Sequence, residues 1–278
     1  MAEFYVNTSP ELFGDPVLKG HMEKHLDEAK ELGYFNPQFV LLGLQGSQNY
    51  GLSNEYSDVD TKLLLLPTFA DLAYNKEPKS TTHVLSNKEH MDLKDFRLYL
   101  PTLLKQNVNF VELLFTDYYF VNNMYKNEWN KLVSAREEIA HYSPARTVQA
   151  MAGIAKNKYS VFNNKKSEGF REDLGYDPKQ VYQMGRVVEF LERYMGGKDT
   201  YAEVLKSKQR EKLLAFKKGS LTLPEAEEYM NQEVVRVNAL VDVYLKQEHK
   251  VNKEVEDLLR EVQYNVMKTY MKEVMREV

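Results

Sequence analysis

The chain contains no cysteine and only one tryptophan. Without thiols there can be no disulfide and no thiolate metal site, so metal chemistry must draw on oxygen or imidazole ligands. Long apolar runs are missing too: none approaches the roughly 20 residues of a membrane-crossing helix. Positive charge is not in excess, since 37 Lys and Arg stand against 41 Asp and Glu, for a formal net charge of -4. That balance excludes a protein that coats nucleic acid non-specifically, and leaves room for an enzyme that touches a nucleic-acid end locally. The opening "MAEFYVNTSPELFGD" is acidic and lacks the apolar segment of a signal peptide. With the absent cysteines, this gives a cytoplasmic expectation and no membrane partner. Three familiar motifs are also missing: the Lys-Ser/Thr of a P-loop, G-x-G-x-x-G and G-x-S-x-G. His21 and His25 in "HMEKH" share a helical face, but Glu23 lies off it, so this is not the H-E-x-x-H zinc pattern.

What is present suffices for a core: 43% of the 278 residues are hydrophobic. Ser9-Pro10 opens a helical pattern that Gly33 closes. "PQFVLLGLQG" and "DVDTKLLLLP" are short apolar runs bounded by Gly and Pro, which reads as two buried strands. "STTHVLSNKEHMD" alternates as a third strand, and a helical period runs from Leu93 to Phe115. Beyond about residue 120 no strand pattern is evident. Ser143-Pro144 and Asp177-Pro178 open helices with proline at the first helical position. Gly196-Gly197 ends the second of these, and Thr222 with Glu225 forms a capping box before a long helix. Residues 251–274, "VNKEVEDLLREVQYNVMKTYMKEV", are helical as well. The expected fold is α+β: a small mixed β-sheet flanked by helices, residues 1–125, followed by an all-helical C-terminal domain, residues 126–278.

Chemistry concentrates in "GSQNYGLSNEYSDVD", Gly46 to Asp60, between the two apolar strands. On a strand, alternate residues share a face, so Asp58 and Asp60 point together and Val59 points into the core. Two adjacent carboxylates repel unless a cation joins them, and a hard divalent ion such as Mg2+ takes oxygen ligands. Gly46 lets the backbone approach a ligand closely, and Ser47 with the following N–H groups can hold a phosphate. Ten residues separate Ser47 from Asp58, enough for a helical turn and a return.

This order and spacing resemble the nucleotidyltransferase superfamily of DNA polymerase β, whose signature is Gly-Ser followed by Asp-x-Asp. The wider run, with Tyr50, Gly51 and Ser57, is similar to the predicted nucleotidyltransferases of RNA repair pathways. Downstream, "DLKDFRLYLPTLLKQNVNFVELLF" is similar to another segment of that family, with Asn107, Asn109 and Glu112 in place and Val108 where the family has proline. The family's Lys-x-x-x-His-x-x-Arg helix is matched by Lys179 and Arg186, with Gln183 in the histidine's place.

The resemblance implies NMP transfer from a nucleoside triphosphate to a hydroxyl, with two Mg2+ ions held by Asp58, Asp60 and a third carboxylate. Asp92 aligns with a family aspartate and is the first candidate; it also reads as a helix N-cap before Leu93, and Glu89 is the alternative. Gly46, Ser47, Lys179 and Arg186 would hold nucleotide phosphates. The acceptor class most in keeping with the resemblance is an RNA end. "AKNKYSVFNNKK", with Lys156, Lys158, Lys165 and Lys166 around Tyr159 and Phe162, offers charge and stacking for one. Other readings keep the fold and change the acceptor to a protein or small molecule, or retain nucleotide binding without catalysis.

Overall fold

The computed structural model describes residues 6–34, 36–54 and 57–276. By contact the chain divides into two compact units: residues 1–49, 53–142 and 252–278 form one, and residues 50–52 and 143–251 the other.

The first unit is built on a six-stranded mixed sheet. Its strands are β1 (Val6–Thr8), β2 (Phe39–Gln45), β3 (Asp60–Leu65), β4 (Ser80–Val84), β5 (His90–Asp95) and β6 (Tyr119–Asn122), in the order β1-β6-β2-β3-β5-β4. β3 and β5 run parallel; every other neighbouring pair is antiparallel. β2, "FVLLGLQ", is buried over six of its seven residues, as its unbroken apolar run requires of a central strand. Between the strands lie α1 (Pro10–Phe13), α2 (Pro16–Glu31), α3 (Phe69–Ala73), α4 (Phe96–Leu104) and α5 (Val108–Val111), and α6 (Lys126–Ser134) and α7 (Arg136–Ala140) follow β6.

The two faces of the sheet are covered differently. Met22, Leu26 and Ala29 of α2 form one core with Leu42, Leu44, Leu63, Leu65, Met91 and Leu93. On the opposite face Gly43 faces the 3-10 turn Glu112–Leu114, where a Cβ would come within 2.5 Å of Leu113 Cδ1, so a larger residue would require the Leu113 side chain to move. α4 packs against β3 and β5, and the terminal helix α13 (Lys253–Val274; helices α8 to α12 belong to the second unit) packs on α4 and α6. The side chain of Tyr142 donates to Glu256 at 2.6 Å, fastening α13 to this unit.

Several elements differ from the sequence reading. The first helical pattern breaks at Gly14-Asp15, because Pro16 cannot donate to a preceding turn; Asp15 caps α2 by accepting from Leu18 N–H at 3.0 Å. The single third strand is a hairpin, turned at Lys88 with φ +69. Its second strand runs through Asp95, so Asp92 lies in β5 and Asp95 is the N-cap of α4. The helical period to Phe115 is interrupted at Gln106, where φ is +54. β1 and β6, three and four residues long, were too short to carry a pattern.

The second unit comprises α8 (Pro144–Phe162), α9 (Pro178–Gly196), α10 (Tyr201–Leu205), α11 (Arg210–Lys218) and α12 (Leu223–Leu245). α9 is its axis, packed by α8, α10, α11 and α12. Asp177 caps α9 through Lys179 N–H, and Gly197 ends it in the left-handed region at φ 63. The capping box of Thr222 and Glu225 opens α12. Tyr50–Leu52 clusters with these helices: Ser207 N–H donates to the Tyr50 carbonyl at 3.0 Å, and the Arg186 guanidinium lies 4.0 Å from the Tyr50 ring centre.

Candidate active site

β2 ends at Gln45, and the chain turns at Gly46, whose φ of +92 is a conformation that favours glycine. The turn is closed by Asn49 N–H donating to the Gly46 carbonyl at 3.1 Å and by the Asn49 side chain donating to the Leu44 carbonyl at 3.0 Å. Residues 47–51 form turns rather than a helix. Glu55 and Tyr56 lie outside the described residues. Gln48 then donates to the Asp58 carbonyl at 3.0 Å, which ties the Gly-Ser turn to the acidic segment before β3.

Asp58 precedes the strand and is exposed, Val59 is buried in the α2-side core, and Asp60 is the first residue of β3. Asp60 Oδ1 accepts the His90 backbone N–H at 3.1 Å and lies 3.3 Å from His90 Nδ1. No hydrogen bond reaches the Asp58 carboxylate or Asp60 Oδ2 from the described residues. Asp60 pairs with Gln45 across to β2, and Lys62 pairs with Asp92 across to β5. Gln45, Asp60, Lys62 and Asp92 therefore share the face opposite α2.

Asp92 is held on both oxygens. Oδ2 accepts from Lys62 Nζ at 3.1 Å and from Gln45 Nε2 at 3.2 Å; Oδ1 accepts from Thr82 Oγ1 at 2.7 Å. Burial pushes the Asp92 carboxyl up, but the Lys62 charge and the three hydrogen bonds outweigh it and hold the group below the usual carboxylate range. Lys62 is 1% exposed, and burial pulls its ammonium below the ordinary lysine value against the attraction of Asp92. Its ammonium also lies 4.6 Å from the Phe110 ring centre.

Glu89 turns the other way. It accepts from His21 Nδ1 at 2.7 Å and from His25 Nε2 at 3.0 Å, both on α2, and His25 Nδ1 lies 2.7 Å from Thr61 Oγ1. An ionised carboxylate only accepts, so His25 carries its proton on Nε2 and takes the Thr61 hydroxyl on Nδ1. Burial lowers His25 below the ordinary imidazole value in spite of Glu89. Glu89, too, sits below its ordinary value: burial raises it, and its bonds to His25 and Asn87 with the nearby imidazoles win. Among the described residues, no three His, Cys, Asp or Glu side chains converge to hold a metal ion.

In the helical unit, Lys179 is exposed in the first turn of α9, and Arg186 is buried on the same helix, its Nε donating to Gln183 Oε1 at 3.1 Å. Lys158 of α8 joins them: its ammonium is lowered first by burial and then by the positive charges of Arg186 and Lys179. Lys156, Lys165 and Lys166 are exposed. The residues sequence reasoning passed over are Lys62, Gln45, Thr82 and His90. Only Lys62 carried a sequence signal, as the one cation inside the apolar run "TKLLLL".

The sequence matches no protein-family model and no curated protein. Solved structures similar in chain course include two nucleotide-transfer proteins by name. One is a nucleotidyltransferase-like protein from Exiguobacterium sibiricum, 12% identical, with a TM-score of 0.29 over 94% of this chain and 80% of that one. The other is a CCA-adding enzyme from Thermotoga maritima complexed with tRNA, 12% identical, with a TM-score of 0.29 over 84% of this chain and 56% of that one. The chain thus spans little more than half the length of the second. Scores this low carry no functional argument.

Proposed function

We propose that the protein is a nucleotidyltransferase that moves NMP from a nucleoside triphosphate to a hydroxyl at an RNA end. The observation that carries this reading is the joining of two features at one sheet edge. The Gly46-Ser47 turn leaves β2, and Gln48 ties it to the segment that delivers Asp58 and Asp60 to the start of β3. Phosphate-binding backbone and cation-binding carboxylates are thereby fixed relative to each other. The donor set fits a divalent cation, because Asp58 is open and Asp60 keeps one oxygen without a hydrogen bond. When bound, such an ion supplies charge to the phosphates.

The chain's own residues do the positioning. Ser47 and the backbone N–H groups of Ser47 and Gln48 would meet the phosphate oxygens, the Asn49 N–H being taken by the Gly46 carbonyl, and His90 fixes the orientation of Asp60 through its backbone N–H. The acceptor oxygen attacks the α-phosphorus. Its bond to phosphorus forms as the α–β bridging bond breaks; the electron pair leaves on pyrophosphate, and the hydroxyl proton passes to water. Within the helical unit, Lys158, Lys179 and Arg186 gather positive charge of the kind that attracts phosphate.

A second reading keeps the chemistry and replaces RNA with a protein or small-molecule acceptor, favoured by the net charge of -4. Incubation with each α-labelled nucleoside triphosphate, Mg2+, and RNA or cell lysate separates them. Label on RNA supports the first reading, and label on protein or metabolite the second. Label on neither contradicts both.

A further inference from the structure

We propose that the Lys62 ammonium is a resident cation of the acidic face, standing beside Asp92 where a second metal ion would otherwise bind. The site would then take a single divalent ion, at Asp58 and Asp60. This rests on the transferase reading above and refines it.

Asp92 is already engaged in the arrangement observed, with three of its roughly four lone-pair positions taken. Both its oxygens accept hydrogen bonds, from Lys62, Gln45 and Thr82. The register of the parallel pair sets Lys62 directly opposite Asp92, so their meeting is fixed by the sheet. Lys62 has no route to water, with 1% of its side chain exposed and the Phe110 ring 4.6 Å away. Drawing Asp92 away to a metal would leave a charged ammonium dry and without its carboxylate, which is strongly unfavourable. The incoming ion would also meet a like charge across a few ångströms of low dielectric.

The neighbouring position does not supply a replacement. β5 presents His90 beside Asp60, and its N–H groups donate to Asp60 rather than compete for a cation. The nearest other carboxylate on this strand, Glu89, is committed to His21 and His25 on the α2 side. Among the described residues, the Asp58 carboxylate and Asp60 Oδ2 remain as open oxygens, one residue apart at the start of β3.

The test is a count of bound Mn2+ by electron paramagnetic resonance, on the full chain with a non-hydrolysable ATP analogue. One ion per chain is expected. Asp92→Asn should leave the count at one and the Mn2+ affinity within about twofold, since Asn can still accept from Lys62. Lys62→Met should raise the count to two by freeing Asp92. Two ions in the wild-type protein, one of them lost in Asp92→Asn, would overturn the inference and leave the transferase reading standing. No protein-bound ion with nucleotide present would overturn both. The wild-type count decides the matter by itself, so the outcome does not depend on whether either variant folds.

Discussion

Glu89 and Asp92 are three residues apart in one hairpin, and they meet opposite fates. Glu89 faces α2 and is closed by two imidazoles, with Thr61 behind them. Asp92 faces away from α2, where a buried lysine neutralises it. Asp58 and Asp60, at the edge of the same face, have neither arrangement and keep open oxygens. The lesson is that a carboxylate near a site is a candidate ligand only if the fold has not already satisfied it. Parity along a strand decides which face it joins, and the cross-strand register decides what satisfies it.

The largest effect expected follows from that contrast. Replacing Asp58 and Asp60 together by Asn should reduce NMP transfer about a thousandfold, the scale on which lost charge stabilisation acts in a site. The melting temperature should hardly change, because Asp58 is exposed and Asp60 sits at a strand end. Glu89→Ala should do the reverse. It leaves His21 and His25 without their acceptor and should cost about 2 kcal/mol of stability, read from urea unfolding. A Glu89→Ala protein that folds normally but loses transfer would break the comparison.

The pH dependence sharpens it. Burial holds His25 below the ordinary imidazole value, so as pH falls through about 6.5 the unfolded chain binds a proton before the native one does. Stability should therefore decline from about pH 6.5 downward, and His25→Gln should flatten that slope in thermal melts. Glu89 and Asp92 have depressed values, so the stability they contribute is present above the ordinary carboxylate range and is lost as pH drops below about 4. The smallest effect belongs to the helical unit. Lys158→Gln relieves repulsion with Lys179 and Arg186, and should raise the melting temperature slightly in a thermal melt.

The candidate site could be read from sequence because its signals are local. Gly46, Ser47, Asp58 and Asp60 lie within 15 residues, bracketed by two apolar runs whose ends are marked by Gly and Pro. Asp177-Pro178 and Thr222-Glu225 announced their helices because caps are also local chemistry. The sequence misled where the decisive partner is distant or the element short. Asp92 resembled an N-cap because Leu93 begins an apolar pattern, yet pairing with β3 extends β5 to Asp95, and Asp95 caps the helix instead. The turn at Lys88 has no glycine to mark it, so two strands read as one. Lys62 meets Asp92 only through a parallel pairing 30 residues apart, which no periodicity reveals.

The most direct test of the acidic edge is a crystal structure with Mn2+ and the non-hydrolysable ATP analogue, read by anomalous scattering. The proposal expects a manganese peak within coordination distance of both Asp58 and Asp60, with the triphosphate against the Gly46-Ser47 turn. A peak bound elsewhere, with both aspartates facing solvent and the turn empty, would contradict it.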